Sequence, residues 1–168
     1  MPITLYQASV PPFVQQLKAL RGVLAKAKAH AEATKVAPEV FLQARLYPNM
    51  FALTRQVQIA TDFAKGCAAR LAGLEPPKFE DTETTFEQLQ ARIDRTLEFL
   101  PTPGPAQIDG QEERDIELKV GGQAMAFKGQ AYLVNFVLPN FYFHATTAYA
   151  ILRHNGVEIG KRDFVGGF

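Results

Sequence analysis

Pro48 to Gly73 reads "PNMFALTRQVQIATDFAKGCAARLAG", and this stretch decides the fold. Met50, Leu53, Val57, Ala60, Ala64, Cys67 and Leu71 recur in threes and fours, the spacing that lines one face of an α-helix. Pro48 sits where a first helical turn tolerates proline, and Gly73 follows as the residue that stops the helix. The middle of the stripe is built from small residues, so a neighbouring helix can approach closely. Cys67 belongs to the stripe and has no His or Lys one turn away, which reads as a small buried hydrophobe rather than a reactive thiol.

Other segments repeat the pattern. Upstream, Phe13, Leu17, Leu20, Leu24, Ala27 and Ala31 line a first helix. Thr4 suits the cap of an earlier turn, and Pro11 and Pro12 predict a break or kink between the two. Downstream of the quoted stretch, "LEPPKFEDTE" reads as a proline-punctuated loop. A third helix follows, opened by Thr84 and Glu87 at capping-box spacing, with Phe86, Leu89, Ile93, Leu97 and Leu100 on its buried face. "PTPGPAQIDG" ends it. Ile116, Leu118 and Val120 then alternate with polar residues before Gly121 and Gly122, which predicts a short β-hairpin. The last helix is expected from about Gln130 to Asn155, kinked at Pro139 and closed by Gly156. Its core face carries Leu133, Val134, Val137, Phe141, Ala148, Ile151 and Leu152. The expected architecture is all-α: a four-helix bundle with a short β-hairpin before the last helix, formed as a single domain over residues 1–168.

Composition narrows the function classes. Eighteen basic residues against seventeen acidic ones leave a formal charge of +1, and no basic run supplies a field for nucleic acid or an anionic membrane. One cysteine rules out an intrachain disulfide framework and a cysteine-based zinc cluster. The N-terminus lacks the charge pattern of a secretory signal, and no apolar run is long enough to span a bilayer, so the expected address is the cytoplasm. There is no glycine-rich phosphate loop, no GxSxG elbow and no HExxH.

The polar residues of interest lie in "NFYFHATTAYAILRHNG", residues 140–156. Asn140 and His144 sit one turn apart and border the buried face, whereas His154 falls on the far side and His30 reads as a surface residue. A histidine in a bundle core needs hydrogen bonds at its ring nitrogens. Three readings therefore stand open: a satisfied core histidine, a polar pocket, or a metal-site remnant. Gln56 and Gln58 on the second helix are the residues expected to converge on this pair, Gln56 the more inward of the two, and Asp62 is placed to orient one of them or to face solvent. In the tail, Lys161, Arg162 and Asp163 suggest either local ion pairs that dock the segment or a basic mouth for an anionic ligand.

The blocks "LYPNMFALTRQVQIATDFAKGCAARLAG" and "LPNFYFHATTAYAILRHNGVEIGKRDFVGG" closely resemble a domain-of-unknown-function family of the DinB/YfiT-like superfamily. The resemblance implies a DinB-like four-helix bundle, commonly a homodimer. Members of the wider superfamily often bind a divalent metal through one histidine of the second helix and two of the fourth, and some look like thiol-dependent transferases or isomerases. Carried over by position, His144, followed by Leu152 and Arg153, takes the place of the second histidine of the fourth helix. Asn140 stands where the first is expected, and Gln56 or Gln58 stands where the second-helix histidine is expected. Amide oxygens are weak donors to zinc or nickel beside imidazole. The resulting expectation is a degenerate metal site at His144, no obligatory cofactor, and a polar pocket for a small molecule. Two alternatives accompany it. One is a metal- or thiol-dependent transferase or isomerase recruiting Tyr47, Asp62 or a water as replacement ligands; the other is a dimeric interaction module without catalysis. Ala60, Ala64, Phe51 and Phe63 leave apolar helix surface beyond the core, which predicts a two-fold homodimer.

Overall fold

A computed structural model describes residues 2–167. Its helices, in chain order, are α1 (Leu5–Thr34), α2 (Pro38–Leu42), α3 (Leu53–Leu71), α4 (Phe86–Phe99) and α5 (Pro105–Ile108). Strands β1 (Asp115–Val120) and β2 (Gln123–Lys128) follow, then α6 (Gly129–Ala131), a π-helical stretch (Tyr132–Val137), α7 (Leu138–His154) and α8 (Lys161–Val165). The four long helical segments pack as a bundle: α3 lies chiefly against α7, and α4 packs on both α1 and α3. Leu53, Val57, Ala60, Ala64, Cys67 and Leu71 are all fully buried, so the stripe that predicts α3 is its core face.

Three local readings are corrected. Pro11 and Pro12 do not break the first helix, which runs unbroken from Leu5. A capping box fixes the start: Gln7 N–H donates to the Thr4 hydroxyl (3.2 Å) and Thr4 N–H to Gln7 Oε1 (3.1 Å). The prolines remove the donors to the carbonyls of Gln7 and Ala8. Gln7 and Pro11 lie on the exposed side, where water can serve those carbonyls, while Val10 and Phe13 bury their side chains and hold the turn. The helix α3 starts later than expected, at Leu53; Met50 N–H closes a turn onto the Tyr47 carbonyl instead. The α4 capping box is shifted by one residue, to Thr85 and Gln88, because Thr84/Glu87 and Thr85/Gln88 both satisfy the same spacing.

The hairpin forms as expected, with Ile116 opposite Phe127, and Gly121 and Gly122 both at positive φ (55° and 85°) in its two-residue turn. At Pro139 the last helix departs from regularity through its π-helical stretch, in which Leu138 N–H reaches back five residues to the Leu133 carbonyl. The extra residue per turn resets the helical phase. Tyr132, Leu133 and Val137 are buried as a result, but Val134, expected on the core face, is 47% exposed. Gly156 (φ 88°) ends α7 in a Schellman motif, with Val157 N–H donating to the Leu152 carbonyl. The tail then docks on α1. Asp163 pairs with Lys26 (2.6 Å) rather than with its neighbours Lys161 and Arg162, and Gln16 Nε2 donates to the Phe164 carbonyl (2.9 Å). No helix among the described residues is long and apolar enough to cross a membrane.

Candidate functional site

The α3–α7 seam brings His144 and Gln56 together. Both are buried, and His144 Nδ1 lies 2.7 Å from Gln56 Oε1. The amide of Gln56 is oriented by its other end, because Nε2 donates to the Phe51 carbonyl (3.1 Å). Oε1 must therefore accept, and Nδ1 must carry the imidazole proton. In the neutral ring that choice leaves Nε2 unprotonated, with its lone pair uncommitted to any hydrogen bond among the described residues. Burial pushes the His144 pKa down to about 4, and the nearby Arg55 guanidinium pushes in the same direction. At neutral pH the ring is uncharged and its Nε2 is an acceptor.

Apolar rings frame it. Phe63 stacks on the imidazole at 6.0 Å between centroids and Phe143 meets it edge-on at 5.2 Å. Leu46, Tyr142, Phe143 and Thr147 line a shallow groove of about 400 Å³ on α7, which meets the site through Phe143 and is not lined by His144 itself. Cys67, fully buried in α3, has its thiol pKa raised by desolvation, so it supplies no thiolate.

The other expected site residues lie elsewhere. Asn140 turns back on its own helix and donates to the Phe136 carbonyl (2.7 Å), beside the irregular turn. Tyr47 is 64% exposed in the connection before α3. Gln58 and Asp62 belong to a separate ionic cluster built around Arg92, whose side chain is fully buried. Arg92 donates to Asp62 (2.8 Å), Glu83 (3.1 Å), the Thr61 hydroxyl (2.8 Å) and the Glu80 carbonyl (3.1 Å), and pairs with Asp81 (3.0 Å). Gln58 Nε2 donates to Glu83 (2.9 Å), Lys65 pairs with Asp62 (3.0 Å), and Arg55 pairs with Asp81. The Phe79 ring receives Lys65, Arg92 and Arg95 at 4.9, 5.6 and 4.6 Å from its centroid. This cluster pins the long α3–α4 connection to the bundle, and through Arg55 it reaches the edge of the His144 site.

The sequence reading missed Arg92, Glu83 and Asp81. One signal was present: Arg92 occupies a stripe position between Leu89 and Thr96, facing a loop dense in acids.

The donor set does not fit zinc or nickel. Beside the one imidazole stand a single amide, Gln56, already bonded at both ends, and a guanidinium that repels cations; Asn140 is turned back onto its own helix. Among the described residues no group of three or more His, Cys, Asp or Glu is placed to hold a metal ion.

Comparison with known proteins gives the chain its relatives. The family described as "Domain of unknown function (DUF1993)" matches residues 5–165. A crystal structure of a DinB family member protein from Shewanella denitrificans is similar at 41% identity and a TM-score of 0.89, covering 98% of this chain and 93% of that one. No functionally curated protein matches.

Proposed function

The chain belongs to the DUF1993 family and is DinB-like, and we propose from that premise that its degenerate metal site is a metal-independent pocket for a small molecule. One observation carries the reading: the 2.7 Å bond between His144 Nδ1 and Gln56 Oε1, which sets the tautomer, so that the ring, kept neutral by burial, holds an uncommitted acceptor at Nε2. Its surroundings specify the ligand class. An uncharged molecule with one O–H or N–H donor and an apolar body satisfies Nε2 and lies along Phe63, Phe143 and the groove beside them. A cation is disfavoured by Arg55. Among the described residues no thiolate or carboxylate hydrogen-bonds to Nε2, which supports a binding role for the ring.

Phenol is a suitable probe, since it couples one hydroxyl donor to an aromatic body. Titrated into the protein, it is expected to shift the His144 Nε2 resonance saturably, and His144→Phe is expected to abolish saturable binding. Phenol binding of equal strength in that variant removes the pocket reading.

We further propose that the chain forms a two-fold homodimer. Tyr47 and Phe51, on the α2–α3 connection outside the ligand groove, are 64% and 55% exposed. Apolar surface of this kind is what a second copy covers. Ala60 and Ala64, by contrast, are in the core and contribute nothing to such a face, and Phe63 is partly buried against Phe136.

A further inference from the structure

We propose that the cleft between the C-terminal end of α3 and strand β1 is a binding site for a compact oxyanion of the phosphate or carboxylate type, held by Arg70 and Arg114. The cleft has a volume of about 380 Å³, and both side chains line it. It lies apart from the His144 site and shares no residue with it.

The leading observation is an unsatisfied donor. Arg114 Nε is buried without a hydrogen-bond partner, and among the described residues it is the one side-chain nitrogen or oxygen in that condition. A guanidinium N–H removed from water and left without an acceptor is costly, and native structures rarely leave one so. An acceptor from outside the chain resolves it once the Arg114 side chain shifts toward the cleft, since Nε itself has almost no accessible surface as it stands.

A second observation is charge. The chain's ion pairs engage Arg21, Arg55, Arg92 and Arg95, but neither Arg70 nor Arg114 has a carboxylate within pairing distance among the described residues. The Arg70 side chain makes one hydrogen bond, from Nη1 to the Tyr132 hydroxyl (3.0 Å). Burial raises the Tyr132 pKa to about 12, so this partner stays neutral and leaves the Arg70 charge uncompensated.

The backbone makes room for both groups. A Cβ at Gly73 (φ 73°) would lie 2.6 Å from Arg114 Nη1 and 3.1 Å from its Cζ, so the guanidinium rests on bare backbone. Gly66 does the same for Arg70, with Nη1 2.5 Å from the position of a Cβ. Of the two glycines only Gly73 lines the cleft itself, but both guanidinium forks do, and two such forks suit the several oxygens of one small anion. The acids of the cleft limit its size. Asp115 is engaged by Lys128 (2.7 Å), while Glu75 and Glu117 remain beside the arginines and disfavour an extended polyanion.

The test follows the arginine Nε–Hε resonances of the full chain during titration with inorganic phosphate, against chloride at matched ionic strength. The Arg114 and Arg70 signals are expected to shift and saturate with phosphate. Arg114→Lys keeps the charge but loses the fork, and should weaken binding about tenfold. Arg70→Lys should weaken it independently, so the result does not depend on one variant. Signals that move no more with phosphate than with chloride, or a phosphate affinity unchanged in both variants, overturn the proposal and leave water as the occupant.

Discussion

Acidification should destabilise this protein through His144 in a way that one substitution removes. The ring titrates at about 4 in the folded chain against an ordinary 6.5, a depression caused first by burial and second by Arg55. Between those values the unfolded chain binds the proton and the folded chain does not, so stability falls as the pH drops through this window. The contribution is fully present above pH 6.5 and gone below about 4. Its size follows from the two pKa values: stability should be about 2 kcal/mol lower at pH 5 than at pH 7 from this residue alone. Other groups contribute to the pH dependence of the whole chain, so the wild-type profile by itself is not diagnostic. His144→Phe isolates the term. Urea unfolding at pH 7, 6, 5 and 4.5 should give a wild-type stability that falls faster than that of the variant, so that the two curves cross between pH 6 and 5 and the variant is the more stable below that. Parallel profiles would mean that His144 titrates normally and is not held neutral by the seam, and the pocket reading would lose its basis.

Other expectations concern packing and assembly. His144→Ala should cost about 2 to 4 kcal/mol at pH 7 through its cavity and the stranded Gln56 oxygen, whereas His144→Phe should cost about 1, for the stranded oxygen only, as read by chemical denaturation. Arg92→Met should destabilise by about 3 to 5 kcal/mol, because Glu83 is left buried without its main cation; adding Glu83→Gln should recover part of that loss, and independent, additive effects would refute the network. Light scattering should return twice 18.6 kDa at micromolar concentration, and Phe51→Asp should return the monomer mass; a monomeric wild-type protein removes the dimer.

Much of this fold is legible because it follows from periodicity. The α3 stripe from Leu53 onward, the alternation before Gly121 and the stop at Gly156 each express one dominant physical demand, and each appears where the sequence places it, Met50 alone falling outside the helix. The failures arise where two demands compete locally. At Pro11 and Pro12 a capping box and buried apolar neighbours outweigh lost backbone bonds, and proline rules alone do not weigh that balance. At Val134 the π-helical turn changes the phase, which a fixed helical period cannot foresee. Side-chain pairing across the bundle is less legible still. Gln56 and Gln58 differ by two residues, yet one faces His144 and the other Glu83, and only the packing of α3 between α7 and the α3–α4 connection separates them. Arg114 shows no pattern at all until the hairpin folds it over Gly73.

The most direct test of a metal-independent pocket is the nitrogen NMR spectrum of the His144 ring at pH 7, recorded before and after a stoichiometric addition of zinc. The account predicts a neutral ring protonated at Nδ1, an Nε2 resonance of the unprotonated type, and neither signal moved by zinc or by a parallel addition of nickel. A ring protonated at both nitrogens, or an Nε2 resonance that shifts with metal and saturates at one equivalent, would contradict it.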